Sequence, residues 1–346
     1  MINYDSIKNL HLEITSACNA RCPECTRNAR GYPYNFGYPE VTAGLDKVQH
    51  AFTSPFIKQL ESVDFCGNFG DFVANPDAEQ IVDYFIRCNN NLKIFVSTNG
   101  SARNSTFWSK LGAWGKQVQI SFCIDGLKDT HSLYRVDTDW NRILQNAKTF
   151  IDAGGYAIWK MIKFKHNQHQ IEACKSLATK LRFDRFDLTD HGRDFGPVYN
   201  RDGTLSHMLG GAEPTPANSL ESLIKWHKNG VPDLPEEKQH LDCYSQKAKS
   251  IYMAADGSIY PCCYLGSFPT TYAGGTWYQQ TNAQLKTLLE GFNNNAIEVG
   301  LENAIGWFNK IEHAWTVEKY KDGRLVLCDS HCGQTYQQWE RSEIKR

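Results

Sequence analysis

The chain has 346 residues, of which 41% are hydrophobic, so it is long enough for one large domain or two ordinary ones. Its 37 lysines and arginines nearly balance its 38 aspartates and glutamates, and the net charge of −1 argues against binding to long nucleic acids or to an anionic membrane surface. The sequence has no apolar run of about 18 residues, which predicts no transmembrane helix, and its first residues do not resemble a secretory signal.

Segments typical of strands and helices alternate from residue 8 to about residue 190. The predicted strands are "NLHLEIT" (starting at Asn9), "SVDFCG", "LKIFVSTNG", "QVQISFCIDG", "YAIWKMIKF" and "RFDLTD". The predicted helices are Asp77 to Cys88, Asn104 to Ala113, Asn141 to Ala153 and Gln168 to Leu181. Repeated βα units give parallel strands, and hence a barrel or a doubly wound sheet with its chemistry at the carboxyl ends of the strands.

The second half of the chain changes in character. Residues 196–240 are rich in Gly, Pro and polar residues and are predicted to form a linker with one short helix near Leu220 to His227. Beyond it, "SIYMAADGSIYPCCYLG" predicts a hairpin with a type I′ turn at Asp256 and Gly257. A helix is predicted from Ala283 to Phe292.

The chain contains 12 cysteines, and most of them occur in groups. Without a secretory signal we expect a cytoplasmic protein, in which grouped cysteines bind metal more often than they form disulfides. The groups are Cys18, Cys22 and Cys25, then Cys243, Cys262 and Cys263, then Cys328 and Cys332. The isolated Cys66, Cys88, Cys123 and Cys174 are expected to pack as small buried hydrophobic residues.

The first group has the spacing C-x₃-C-x₂-C and follows the first predicted strand directly. Three thiolates can surround one face of an iron–sulfur cube, which is normally held by four cysteines, so one iron would stay open for a ligand. The spacing alone is also compatible with a zinc site that a distant Cys or His completes.

The loop resembles the signature of the radical S-adenosylmethionine superfamily, and three further segments are similar to that family in type and order. They are "CGNFGD" after the second strand, "STNG" at the end of the third, and "CIDGLKDTHSLYR" at the end of the fourth. The resemblance implies a partial (β/α)₆ TIM-like barrel over residues 1–195, with a [4Fe-4S] cluster on Cys18, Cys22 and Cys25 that binds S-adenosylmethionine.

The resemblance also assigns the residues that contact S-adenosylmethionine, which are Gly67, Gly70, Asp71, Asn99, Asp125 and Arg135. The backbone and carboxylate of residues 67–71 suit the ammonium group of the methionine half, because glycine allows close approach of the main chain. Arg135 suits the methionine carboxylate, and Asp125 suits a ribose hydroxyl. The chain departs from the family pattern at Glu24, where an aromatic residue is usual, and at Cys123, where serine is common.

The later cysteines resemble the start of the SPASM and twitch extensions. The matching spacing is C-x₁₃-G-x₄-C, formed in this chain by Cys243, Gly257 and Cys262. The number of cysteines fits one cluster rather than two, and hence a small α/β twitch-type auxiliary cluster domain over residues 241–346. The expected ligands of this auxiliary [4Fe-4S] cluster are Cys243, Cys262, Cys328 and Cys332, whereas Cys263 is expected on the opposite face of a regular strand. A structural zinc is the alternative at this site.

The sequence says less about substrate and partners. The first cluster motif begins at residue 18, with no peptide-binding domain before it, which favours a small molecule or a peptide presented by another protein. The resemblance implies an oxidoreductase supplied with electrons by an external donor such as flavodoxin or ferredoxin. Candidate substrate contacts are "GYPYNFGYP" (residues 31–39), His191, Arg193 and Asp194. The alternatives are a peptide-modifying maturase, an RNA-modifying enzyme with salt-sensitive binding and a non-catalytic zinc-binding module.

Overall fold

Six parallel strands form the centre of the protein, as the alternating pattern predicts. The computed structural model describes residues 2–34, 39–190, 196–210, 219–222, 224, 241, 243–271, 276–332 and 340–343. The strands are β1 (Asn9–Leu12), β2 (Ser62–Phe65), β3 (Lys93–Thr98), β4 (Val118–Cys123), β5 (Tyr156–Ile162) and β6 (Arg185–Thr189). They lie side by side in chain order and all neighbouring pairs are parallel, which confirms the α/β class and is consistent with a partial TIM-like barrel.

Helices connect the parallel strands and cover the outside of the sheet. They are α1 (Leu45–Ala51), α2 (Ser54–Gln59), α3 (Ala78–Cys88), α4 (Ser105–Gly112), α5 (His131–Tyr134), α6 (Trp140–Asp152) and α7 (Ile171–Lys180). The four predicted helices correspond to α3, α4, α6 and α7, while α1, α2 and α5 were not among them. The side chains of Asn104 and Asp139 accept hydrogen bonds from the first turns of α4 and α6, which explains where these helices begin.

Aromatic side chains fill the space between the sheet and the helices. Trp108 of α4 and Phe150 of α6 both pack on Phe122 of β4, and Phe183 meets both Phe122 and Trp159 of β5. All five side chains are completely buried. Burial of each contributes about 1.5 to 3 kcal/mol or more, so this layer holds the strands whose ends carry the candidate site.

The C-terminal part of the chain extends the same sheet at both edges. Its strands are β9 (Ser250–Met253), β10 (Ile259–Tyr260) and β11 (Glu340–Glu343). β9 pairs in parallel with β1, β10 pairs antiparallel with β9, and β11 pairs antiparallel with β6. The predicted auxiliary region therefore shares its sheet with the barrel, although its assignment as a twitch domain stays a prediction.

The remaining C-terminal helices pack on this edge of the sheet. They are α8 (Tyr244–Lys247), α9 (Cys263–Thr271), α10 (Thr276–Leu289), α11 (Ala296–Val299), α12 (Leu301–Ala304), α13 (Phe308–Thr316) and α14 (Val326–His331). The helix predicted from Ala283 to Phe292 is thus confirmed, but in the structure it begins at Thr276 and ends at Leu289. Among the described residues no helix is both long and apolar enough to cross a membrane.

The β9–β10 hairpin is confirmed, but its predicted type I′ turn is wrong. A type I′ turn needs positive φ at both central residues, and of Asp256 and Gly257 only Gly257 has one, at +97°. The Gly257 amide donates to the Ala254 carbonyl, and the Ala254 amide donates to the Ser258 carbonyl. Asp256 instead accepts a hydrogen bond from the Ser258 amide through its side chain.

The predicted linker contains a second hairpin that the composition did not indicate. β7 (Gly196–Tyr199) and β8 (Leu205–Leu209) form a separate two-stranded antiparallel sheet. The Tyr199 amide donates to the Arg30 carbonyl, and Val198 and Leu209 pack in a small apolar cluster that reaches Cys22. This hairpin therefore covers one side of the first cysteine loop. Of the predicted helix near residues 220–227, only residues 220–222 and 224 are described.

Candidate functional site

The first cysteine loop follows β1 and is tied to loops that follow neighbouring strands. Cys18, Cys22 and Cys25 are half-buried, and the Cys25 amide donates to the Cys22 carbonyl at 3.0 Å. The Ala17 carbonyl accepts from the Asp71 amide beyond β2, at 2.9 Å, and the Arg21 amide donates to the Val136 carbonyl beyond β4, at 3.0 Å. The three thiols therefore sit at the carboxyl end of the parallel strands.

Hydrogen-bond donors surround the sulfur atoms of this loop. Asn99 Nδ2 lies 3.7 Å from Cys18 Sγ, and Arg135 Nη1 lies 3.8 Å from Cys22 Sγ. Burial raises the pKa of all three thiols, that of Cys25 to about 11. Thiolates in so dry a site need positive charge beside them, which a metal cluster and Arg135 would supply.

The glycine-rich segment between β2 and α3 packs against the cysteine loop. The sequence predicts that Gly67 and Gly70 let the main chain approach a ligand, which stays a prediction, and the structure gives a further reason for these glycines. A Cβ on Gly70 would lie 1.7 Å from the Thr15 carbonyl oxygen, and one on Gly67 would lie 2.5 Å from Glu13 Oε1. The close approach is therefore to the end of β1.

Asp71 is buried and its carboxylate faces the end of β3. Oδ1 accepts from the Thr98 hydroxyl at 2.7 Å, and Oδ2 accepts from both the backbone and the side-chain amide of Asn99, each at 2.7 Å. The side-chain amide of Asn99 also reaches Asn19 of the cysteine loop at 3.0 Å. Asp71 thus positions Asn99 beside Cys18, and its predicted contact with an ammonium group stays a prediction.

Asp125 and Arg135 form a buried ion pair that a closed ring of hydrogen bonds supports. Arg135 Nε donates to Asp125 Oδ2 at 2.6 Å, and the Ile162 amide donates to Asp125 Oδ1 at 2.7 Å. The Asp125 amide donates to His131 Nδ1 at 3.1 Å, so His131 Nε2 carries the proton and donates to the Thr138 hydroxyl at 3.0 Å. The Thr138 hydroxyl donates to the Arg135 carbonyl at 2.6 Å.

This ring has two consequences for the predicted site. Burial lowers the pKa of Arg135, but Asp125 and the nearby thiols of Cys22 and Cys123 raise it by more than burial lowers it. The pKa of Arg135 is therefore well above its usual value. Both carboxylate oxygens of Asp125 already accept hydrogen bonds from the chain. Asp125 therefore holds Arg135 in place, and its predicted contact with a ribose stays a prediction.

The interior of the barrel below the loop is polar. Asp64 of β2 lies near the charges of His11 and Lys160, and its Oδ1 atom is buried without a hydrogen-bond partner among the described residues. Cys66 and Cys123 are half-buried beside Lys160, whereas the prediction of small buried hydrophobic residues is confirmed for Cys174. The sequence contains a signal for this polar interior that was not used for the prediction. Side chains two residues apart in a strand, such as those of Asp64 and Cys66 in the second predicted strand, lie on the same face of the sheet.

The structure brings the four later cysteines together. Cys243 precedes α8, Cys262 follows β10, Cys328 lies in α14, and Cys332 follows that helix. Burial raises the pKa of Cys262, as do the thiols of Cys263, Cys328 and Cys243. The Cys332 thiol is hydrogen-bonded to Cys243, and its pKa is raised by this bond, by burial and by the other thiols. The four side chains thus form one sulfur-rich cluster.

Cys263 has a further partner outside that cluster, although its thiol also raises the pKa of Cys262. It hydrogen-bonds to the imidazole of His11, on β1, and contributes to a pKa of about 9 for this histidine, although burial alone would lower it. β10 ends at Tyr260 and α9 begins at Cys263. The two adjacent cysteines therefore diverge where the chain turns from strand to helix, and not by the alternation of a regular strand.

A buried ion pair that the sequence did not indicate holds the segment that carries Cys328. Arg324 donates from Nε and Nη2 to the two carboxylate oxygens of Asp329, both at 2.8 Å. Both residues are almost completely buried, and Arg324 Nη1 donates to the Val317 carbonyl at 3.0 Å. A bidentate pair in a dry environment fixes the orientation of α14.

A cavity of about 250 Å³ opens beside the first loop. Its lining includes Cys18, Asn19, Arg21, Arg27, Tyr34 and Arg201. Arg21 and Arg201 both pair with Asp137, at 2.6 and 2.5 Å. Of the predicted substrate contacts, residues 35–38, His191, Arg193 and Asp194 lie outside the described residues.

The chemistry of both donor sets fits iron–sulfur clusters, because cysteine thiolates are the usual ligands of such clusters. Within the described ranges, no group of three or more His, Cys, Asp or Glu side chains is arranged to hold one metal ion. A single zinc gathers its sulfur ligands at about 2.3 Å, whereas an iron–sulfur cube is bound through different irons, so its cysteines lie farther apart. Within each of the two cysteine groups the sulfur atoms do not converge on one point, and this arrangement is compatible with an iron–sulfur cube.

Similar solved structures were found, although no protein-family model and no curated protein matches the sequence. Streptococcus suis SuiB bound to its precursor peptide SuiA is 14% identical, with a TM-score of 0.55 over 94% of this chain and 72% of that one. SuiB alone gives a TM-score of 0.54 over 94% and 73%, and SuiB bound to S-adenosylmethionine gives 0.51 over 76% and 62%. The chain therefore shares the fold of SuiB, and the fold expected from the resemblance in sequence is confirmed.

Proposed function

We propose that this chain is a radical S-adenosylmethionine enzyme in which Cys18, Cys22 and Cys25 hold a [4Fe-4S] cluster. The observation that carries the proposal is the placement of Arg135, which Asp125 holds in a buried position 3.8 Å from the Cys22 sulfur. A guanidinium fixed there suits the carboxylate of a ligand that binds an open iron.

When bound, the cluster and S-adenosylmethionine supply reductive cleavage of the sulfonium and a 5′-deoxyadenosyl radical that takes a hydrogen atom from the substrate. The chain's own residues bind and orient. Arg135 would hold the methionine carboxylate, Asn99 would stand beside Cys18, and the loop of Gly67 and Gly70 would close the site against water. The polar barrel interior near Asp64 would receive the substrate.

We also propose that Cys243, Cys262, Cys328 and Cys332 hold one auxiliary [4Fe-4S] cluster. Four thiolates leave no open iron, so the role that fits is electron transfer during a net oxidation of the substrate, with flavodoxin or ferredoxin as external donor. The mutual pKa effects of these thiols support a shared site.

The test is metal content and product formation under anaerobic conditions. Two clusters predict about eight irons per chain, and a Cys18→Ala/Cys22→Ala/Cys25→Ala variant should keep about four. Wild type should form 5′-deoxyadenosine from S-adenosylmethionine and dithionite, and the triple variant should form none, while Cys174→Ala serves as a buried-thiol control. Zinc without iron after reconstitution would overturn the proposal.

The second candidate is the same chemistry on a peptide substrate. It is favoured by the likeness to SuiB bound to precursor peptide SuiA, which extends over 94% of this chain. Size-fractionated extract of the source cells should stimulate 5′-deoxyadenosine formation in a fraction that protease treatment inactivates. Stimulation only by a protease-resistant, small-molecule fraction would instead support a metabolite substrate.

A further inference from the structure

Tyr252 connects the C-terminal hairpin to the first site. β9 lies against β1, and Tyr252 is paired with His11 in the register of the two strands. The Glu13 amide, just beyond β1, donates to the Met253 carbonyl at 2.9 Å. The side chains of Glu13 and Tyr252 therefore meet at the end of the strands where the cysteine loop begins.

The carboxylate of Glu13 joins the hairpin to the glycine-rich segment. Its Oε1 atom accepts from the amides of Phe69 and Gly70, both at 2.8 Å, and its Oε2 atom accepts from the Tyr252 hydroxyl at 2.5 Å. Glu13 is 2% exposed and Tyr252 is fully buried. Burial raises the pKa of Glu13, and its hydrogen bonds to Tyr252, Phe69 and Gly70 act against this rise. A buried carboxyl group needs such donors, so the tyrosine hydroxyl is part of what holds Glu13 in position.

The side chain of Asn68 also connects the glycine-rich segment to the C-terminal region. Asn68 Nδ2 donates to the Tyr252 hydroxyl at 3.2 Å and to the Cys263 carbonyl at 2.8 Å. The segment from Gly67 to Gly70 is thus attached at one end to β1 through Glu13 and in its middle to the hairpin and α9.

The glycine-rich segment is in turn connected to the surroundings of Cys18. Asp71 follows it directly, donates its amide to the Ala17 carbonyl, and holds the Asn99 side chain that approaches Cys18 Sγ. A loosened Glu13 would therefore affect the segment that is proposed to contact S-adenosylmethionine.

We propose that Tyr252 is a positioning residue of the first site, which acts through Glu13 to hold residues 67–70 in the conformation that binds S-adenosylmethionine. The C-terminal region then completes the first site, in addition to carrying the later cysteines. The part that concerns S-adenosylmethionine rests on the proposed function, whereas the part that concerns residues 67–70 does not.

The experiment compares Tyr252→Phe with Tyr260→Phe in the full chain, purified anaerobically. Tyr260 is the residue opposite Tyr252 on β10, is also buried, and has its hydroxyl bonded to Asn294 and Ser258 rather than to the first site. Hydrogen–deuterium exchange is measured on the peptide that contains Phe69 and Gly70. We expect exchange at least tenfold faster in Tyr252→Phe than in wild type, and no change in Tyr260→Phe.

S-adenosylmethionine binding and iron content are measured on the same samples. Tyr252→Phe should weaken binding about tenfold while its iron content matches that of wild type. Unchanged exchange at Phe69 and Gly70, or equally increased exchange in β3 and β4, would overturn the inference. Failure of the wild type to bind S-adenosylmethionine would sink the proposed function alone, because the exchange comparison would still decide the role of Tyr252.

Discussion

Asp125 at the end of β4 and Arg135 after α5 form a 2.6 Å ion pair in which the aspartate is completely buried. The pair directs the guanidinium towards Cys22, and the His131–Thr138 bridge closes the loop between them. The loop therefore presents one fixed cation to the first cysteine group. A site that binds a carboxylate beside an open iron needs a cation that does not move, and this geometry provides one.

We expect Asp125→Asn to weaken S-adenosylmethionine binding ten- to hundredfold. The asparagine can still accept from the Ile162 amide, but it cannot pair with Arg135, so the guanidinium loses its orientation at a cost of about 1.4 to 3 kcal/mol. Equilibrium binding under anaerobic conditions measures the effect. Asp152→Asn is the matched control, because that exposed aspartate also pairs with an arginine, Arg182, but far from the loop in the chain. Wild-type affinity in Asp125→Asn would contradict the assignment.

Gly70→Ala should destabilise the first cysteine loop. The added Cβ would lie 1.7 Å from the Thr15 carbonyl oxygen and 3.0 Å from that of Ala17, and backbone cannot move aside as a side chain can. We expect a loss of at least about 2 kcal/mol of unfolding free energy and lower iron content. Gly306→Ala, where the nearest atom is 3.2 Å away, is the control. Chemical denaturation measures the free energy of unfolding, and iron analysis measures the metal content. Equal unfolding free energies and equal iron contents in the two variants would refute this prediction.

The two adjacent cysteines after β10 should differ in their effect on metal content. Cys262→Ala should reduce iron from about eight to about four per chain, because one ligand of the auxiliary cluster is lost. Cys263→Ala should keep about eight, since Cys263 faces His11. Iron analysis of anaerobic protein measures both. The reverse result would make Cys263 the ligand.

Acid should destabilise the protein through His131. This histidine is completely buried, and burial lowers its pKa from 6.5 to about 4. Because the unfolded chain binds the proton more readily, the stability is fully present above pH 6.5 and falls by about 3 kcal/mol as the pH drops towards 4. Denaturation between pH 4 and 7 should show a shallower slope for His131→Asn. The exposed His50→Asn should retain the wild-type slope, and a wild-type slope in His131→Asn would count against this account.

Local patterns were sufficient for the parallel strands and for most of the barrel helices. The predicted helices at 77–88, 104–113, 141–153 and 168–181 lie within a few residues of α3, α4, α6 and α7, because the apolar stripe of α3 and the caps of α4 and α6 are contacts between residues close in sequence. The cysteine spacings were also visible, because cluster ligands on one loop must be close in the chain. The β7–β8 hairpin was not predicted, since Gly- and Pro-rich composition does not distinguish a linker from a short hairpin whose partner is the cysteine loop.

The sequence by itself determined the fold class, the cysteine groups and the strand ends at which polar residues gather, since each depends on spacing along the chain. Only the tertiary structure decided what those polar residues touch. The carboxylates of Asp71 and Asp125 proved to be bound by donors from other strands, and Glu13 proved to join the glycine-rich segment to Tyr252, 239 residues away. Contacts at such separations depend on which strands become neighbours, and that is set by the packing of the whole sheet rather than by any local pattern.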